Sequence, residues 1–100
     1  MEIDEEETPN RIEFPDGFVE YRFTSVPKSD RFPRGVKYGF QYVHDGTRIL
    51  RYDNSHGVHE RHYADLDDPE IIEWSGSVEE HLERFFEEVE EIRNRDDTEV

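Results

Sequence analysis

Hydrophobic and polar residues alternate with a period of two through much of the first half of the chain. Val19, Tyr21 and Phe23 alternate with Glu20, Arg22 and Thr24; Val36, Tyr38, Phe40 and Tyr42 alternate with Lys37, Gly39 and Gln41. This period sends successive side chains to opposite faces of a sheet, and it predicts strands over 18–26 and from Val36 to Tyr42. His44-Asp45-Gly46-Thr47 follows. Asp-Gly is a two-residue hairpin turn because both positions accept positive φ, so Arg48–Tyr52 is expected to return antiparallel. Ile12 and Phe14 predict a short edge strand stopped by the turn sequence Pro15-Asp16-Gly17. Glu70–Trp74 predicts one further strand.

The period then changes. Ser77-Val78-Glu79-Glu80 has the form of a capping box, in which the Ser77 hydroxyl accepts from the amide three residues on. Val78, Leu82, Phe85, Phe86, Val89 and Ile92 make one helical stripe, and Glu79, Glu83, Glu87, Glu90 and Glu91 form the solvated face. Fraying is expected over Arg93–Val100. The fold class is therefore α+β, an antiparallel sheet of four to five strands packed against one C-terminal amphipathic helix. Residues 11–95 are the single domain, with an acidic flexible tail at 1–10 and a flexible tail at 96–100. Residues 27–35 (PKSDRFPRG) are a loop punctuated by proline and glycine, 53–63 a His-rich loop, and 64–69 an acidic turn. Tyr52 and Trp74 are expected in the core, His44 and His81 at the surface.

Composition narrows the possibilities. With 100 residues, 32% of them hydrophobic, a single small domain has a thin core, to which seven Phe, five Tyr and one Trp contribute much of the area. No apolar run approaches the roughly 20 residues of a membrane span, and the acidic N-terminus is unlike a secretory signal. The absence of cysteine excludes disulfide and thiolate chemistry. A net charge of −15 with only two lysines is the balance of a cytoplasmic, salt-adapted (halophilic) acidic protein. The charge is uneven, however. Residues 28–62 hold seven bases against four acids and four of the five histidines, whereas residues 63–100 hold fifteen acids against three bases. A locally basic block inside an acidic chain implies an anionic partner, or pairing with the acidic helix.

The chemistry concentrates in RYDNSHGVHERHY, residues 51–63. His56, His59 and His62 recur at intervals of three, and two imidazoles at one phosphodiester serve as general base and general acid. Arg51 and Arg61 bind a phosphate and stabilise the charge that develops on it. These parts suffice for a metal-independent ribonuclease, because the RNA 2′-hydroxyl is itself the nucleophile. The alternative is that the histidines are polar loop residues. A third reading is a metal site, His-x-x-His-x-x-His with Asp53 nearby, at a spacing that matches neither HExxH nor a paired finger. Asp53 is read as orienting a histidine or as closing a turn with Asn54. Tyr63 is placed to stack on a base. Arg31 and Arg34 are phosphate contacts or salt-bridge partners of the helix, and Phe32 is an apolar candidate for a partner face.

The segments RYDNSHG (51–57), Arg61-His62-Tyr63 and Ser77-Val78-Glu79 leading to Leu82, Phe85 and Phe86 resemble the TumE family of small toxin proteins. The resemblance covers residues 18–92, and its specific part is Tyr-Asp-Asn…Arg-His. It implies the toxin half of a two-gene module acting on RNA, with a helix-turn-helix antitoxin as partner, and Asp53, Asn54 and His62 as the residues that carry over best. The catalytic set expected is His62, His59, His56, Asp53 and Arg61. The substrate-binding set is Arg51, Asn54, Arg31, Arg34 and Tyr63, with no metal and no cofactor; a homodimer is compatible with the sequence. The rival reading is a non-catalytic nucleic-acid- or partner-binding protein. In molar salt the Debye length falls to about 3 Å, so either function needs a formed pocket rather than a diffuse basic surface.

Overall fold

A computed structural model describes residues 10–64 and 68–98 of the chain. Six strands, β1 (Asn10–Phe14), β2 (Gly17–Ser25), β3 (Val36–His44), β4 (Thr47–Asp53), β5 (Glu60–Tyr63) and β6 (Glu70–Ile71), form one antiparallel sheet in sequence order, followed by one helix, α1 (Val78–Thr98). This is the expected α+β architecture with one strand more than four or five. The addition is β5, inside the segment read as a His-rich loop; its four residues are too few for their alternation to stand out from sequence alone. The expected tail at 1–10 lies outside the described residues except for Asn10, which already belongs to β1, and residues 65–67 of the expected acidic turn lie outside them too.

The turn between β3 and β4 adopts the conformation its sequence demands, with Asp45 at φ 50° and Gly46 at φ 81°. One helix is wide enough to cover only one face of the sheet. The covered face receives Val19, Tyr38, Phe40, Tyr42, Leu50 and Tyr52, and α1 sets Phe85, Val89 and Ile92 against them. At the centre the Phe85 ring lies 5.6 Å from Phe40 and 5.1 Å from Tyr52. As expected, Glu79, Glu83, Glu87, Glu90 and Glu91 face solvent. The Ser77 hydroxyl accepts from the Glu80 amide at 3.1 Å, capping the helix.

Two departures have physical reasons. The helix continues past Arg93 because that residue is anchored, donating to Asp16 at 3.0 Å and lying 3.8 Å over the Phe14 ring. His81, expected at the surface, is fully buried, because it falls one turn before Phe85 on the same helix face. The register between β3 and β4 also shifts, so that Tyr42 faces Leu50 while the next residue, Val43, faces Arg48. The shift breaks the alternation of β4, sending Ile49 towards the core and Arg48 to the other face.

Phe85 is the best probe of this packing. Phe85→Ala is expected to lower unfolding free energy by about 3–5 kcal/mol, measured by denaturant titration with the slope unchanged.

Candidate active site on the uncovered sheet face

The face of the sheet away from α1 is polar, and cross-strand register orders it into rows. One row reads Glu20, Gln41, Arg51, His62 across β2, β3, β4 and β5; the next reads Arg22, Gly39, Asp53, Glu60. Alternation in β4 and β5 therefore brings Arg51, Asp53, Glu60 and His62 onto one surface and sends Tyr52, Arg61 and Tyr63 to the other. Asp53 and Glu60 are directly opposite and almost fully buried, although like charges in that position repel. Cations and imidazoles surround them. Arg51 Nη2 lies 2.8 Å from Asp53 Oδ2, which fixes the guanidinium.

Two imidazoles converge on Glu60. His62 Nε2 lies 3.3 Å and His56 Nδ1 3.4 Å from the same oxygen, Oε1. His62 Nε2 is close enough for an ion pair but lacks hydrogen-bond alignment, and it is shielded from solvent with no hydrogen-bond partner. His56 is mostly exposed, on a turn in which Gly57, at φ 89°, donates to the Asn54 carbonyl at 3.0 Å. A carboxylate so placed orients imidazoles. The atoms of Asp53, Glu60 and His62 that could ligate a metal all lie within 4.8 Å of one another.

The remaining candidates stand elsewhere. Asn54 is buried and clamps β3, accepting from the Tyr38 amide at 3.0 Å and donating to the Val36 carbonyl at 2.9 Å. Arg61 pairs with Glu88 of α1 through Nε and Nη2, and with Glu70 at 2.9 Å. Tyr63 lies under it, 5.2 Å from the guanidinium. Tyr52 also donates to Glu88 at 2.6 Å. Burial pushes the Glu88 carboxyl up, but the hydrogen bonds from Arg61 and Tyr52 outweigh it and hold the group below its usual value. Arg31 and Arg34 are exposed on the loop before β3, and Arg31 packs against Gly57. Sequence reasoning passed over Glu60, Lys37 and Arg22. The signal for Glu60 and Lys37 was parity with His62 and Gly39 along their strands.

A family model described as Toxin TumE matches residues 2–93 of the chain. The chain belongs to the TumE toxin family. No curated protein and no solved structure matches it. Membership makes it a toxin of a toxin–antitoxin system, with an antitoxin as partner. Among the described residues no helix is long and apolar enough to cross a membrane.

His59, the middle histidine of the sequence cluster, belongs in this TumE-family chain to a separate network on the helix side. The Tyr38 hydroxyl lies 2.9 Å from both His59 Nδ1 and His81 Nε2, so its single proton goes to one imidazole while it accepts from the other. Ser75 Oγ is 2.8 Å from His81 Nδ1, and Trp74 stacks on His59 at 4.9 Å. Burial, then the charge of Arg34, holds His59 below the ordinary imidazole value. Burial, reinforced by His59 and Arg84, holds His81 down to about 4.

This network has a consequence for stability. The unfolded chain protonates His81 near 6.5, whereas the folded protein resists until about 4. The unfolded state thus binds more protons in that window. Stability is unaffected above it and falls as pH drops through it, by at most about 3 kcal/mol from this residue. Thermal melts from pH 7 to pH 5 should show a shallower decline for His81→Gln than for the parent; equal slopes would refute the assignment.

Proposed function

We propose that this toxin cleaves RNA on the uncovered sheet face, using His62 and His56 as general base and general acid. The observation that carries the reading is the convergence of both imidazoles on Glu60 Oε1, beside an Arg51 held in place by Asp53. His62, set against Glu60 at Nε2, takes the proton of a ribose 2′-hydroxyl on its other ring nitrogen, Nδ1, and the 2′-oxygen attacks the adjacent phosphorus. The bond from phosphorus to the 5′-oxygen breaks, and protonated His56 supplies the proton that oxygen needs. Arg51 stabilises the charge gathering on the phosphoryl oxygens. The products are a 2′,3′-cyclic phosphate and a 5′-hydroxyl end, and the reaction uses no metal. Arg61, His59 and Asn54 support this surface from behind, holding β5, β3 and the turn that carries His56. A helix-turn-helix antitoxin silences the toxin in this proposal, in a cytoplasm whose high salt screens the chain's acidity from RNA.

A second reading has one specific observation in its favour, the Asp53–Glu60–His62 triad, which offers two oxygens and a nitrogen to a divalent cation. Against it, Arg51 already neutralises Asp53 at 2.8 Å. Metal analysis of the purified protein and cleavage in the presence of chelator separate the two readings, since only the metal site loses activity to chelation.

The direct test of the first reading is cleavage of cellular RNA by single variants, in dilute buffer and at molar salt. His62→Ala is expected to slow cleavage by about 100- to 10,000-fold with the fold retained, and His56→Ala to slow it by a similar factor. Arg61→Lys should lower the melting temperature and leave cleavage by the folded fraction within a few fold. Full activity in His62→Ala would sink the proposal.

A further inference from the structure

Gly39 sits in the middle of β3, a nine-residue strand inside the sheet, where glycine weakens pairing and packs nothing. Its φ is not among the positive ones, so the backbone does not require it. A Cβ built there would meet nothing within 4 Å, so crowding does not require it either. What the missing side chain provides is a floor. Above it lies a hollow of about 370 Å³ on the uncovered face, lined by Arg22, Thr24, Lys37, Arg51 and Asp53. Arg22, Gly39 and Arg51 also line a second hollow of about 210 Å³, which Arg48 closes, so the two form one trough. The first is at the lower end of the roughly 300–1,000 Å³ typical of small-ligand sites.

The charge of the trough is cationic and largely uncommitted. Among the described residues Arg22, Lys37 and Arg48 belong to none of the ion pairs, whereas the nearest acid of the second hollow, Glu20, is engaged by Arg11 at 3.0 Å and Gln41 at 2.9 Å. Asp53 already holds Arg51. Free cations around a bare backbone floor, one strand away from Asp53, fit a planar group whose anionic substituent reaches the rim.

We infer that the Gly39 hollow is the subsite for the nucleotide beside the cleaved bond, with Arg22 and Lys37 holding its phosphate and the glycine floor admitting its base or sugar. The inference rests on the RNA-cleaving reading and specifies where the strand lies. It makes Gly39 a determinant of binding rather than of chemistry, and it accounts for a glycine that neither the backbone nor the packing needs.

The test is fluorescence anisotropy with a labelled single-stranded RNA decamer of mixed sequence, in a His62→Ala background to prevent cleavage. Gly39→Ala is expected to fold with an equal or higher melting temperature and to weaken binding a few fold. Gly39→Val should weaken it at least tenfold. Arg22→Gln and Lys37→Gln should each weaken binding and reduce the slope of log affinity against log salt by about one. Binding within twofold of the parent in both glycine variants would overturn the subsite while leaving the cleavage site intact. A His62→Ala parent that does not bind the decamer at low or molar salt would overturn the subsite together with the RNA reading.

Discussion

A six-stranded sheet has two faces, and the described residues hold one helix to cover them. From that constraint follows the division of labour in the molecule. The core residues of β2, β3 and β4 share the face that meets α1, so most of the alternate positions collect on the other face and can be polar, charged or absent. Phe85 against Phe40 and Tyr52 holds the covered side. The same register that makes this contact sets Arg51 beside His62 and Asp53 beside Glu60 on the far side. Core and candidate site are two readings of one register, and a slip of one residue would exchange them.

Buried polar groups reinforce the division. On the helix side Glu88 gathers Tyr52 and Arg61, and Tyr38 links His59 to His81. Each of these groups has its partners, and each ties a strand to the helix or to the segment before it. On the open side Asp53 is held by Arg51 and Ser55, and Glu60 lies against His56 and His62. Buried nitrogens without a hydrogen-bond partner occur on both sides, His62 Nε2 on the open face and Trp74 Nε1 beside the His59–Tyr38–His81 network.

Much of the fold was legible in the sequence. Long alternating strands, an Asp-Gly turn and a capped helix each carry their own local signal, and the family resemblance rested on residues that the family model also spans. The site was legible only in part. Three histidines at equal intervals look like one cluster, but the interval straddles a turn and a strand. His56 and His62 come together on one side, while His59 goes to the other. Nothing in a spacing of three reveals that, because the outcome depends on where β5 begins. Arg61 was misleading for a related reason, since neighbours along a regular strand point to opposite faces and His62 takes the open one. His81 lay hidden in plain view: its place one turn before Phe85 puts it in the core whatever its polarity.

The central claim is that the uncovered face works and the covered face supports it. Carbon-bound imidazole protons, followed by NMR as an uncleavable RNA is added to the protein, test it most directly. The account predicts that the signals of His62 and His56 shift with RNA, along with the guanidinium signals of Arg22 and Arg51, while those of His59 and His81 stay in place. Movement of His59 and His81 with His62 and His56 unmoved would contradict it, and would put the working surface on the side of the helix.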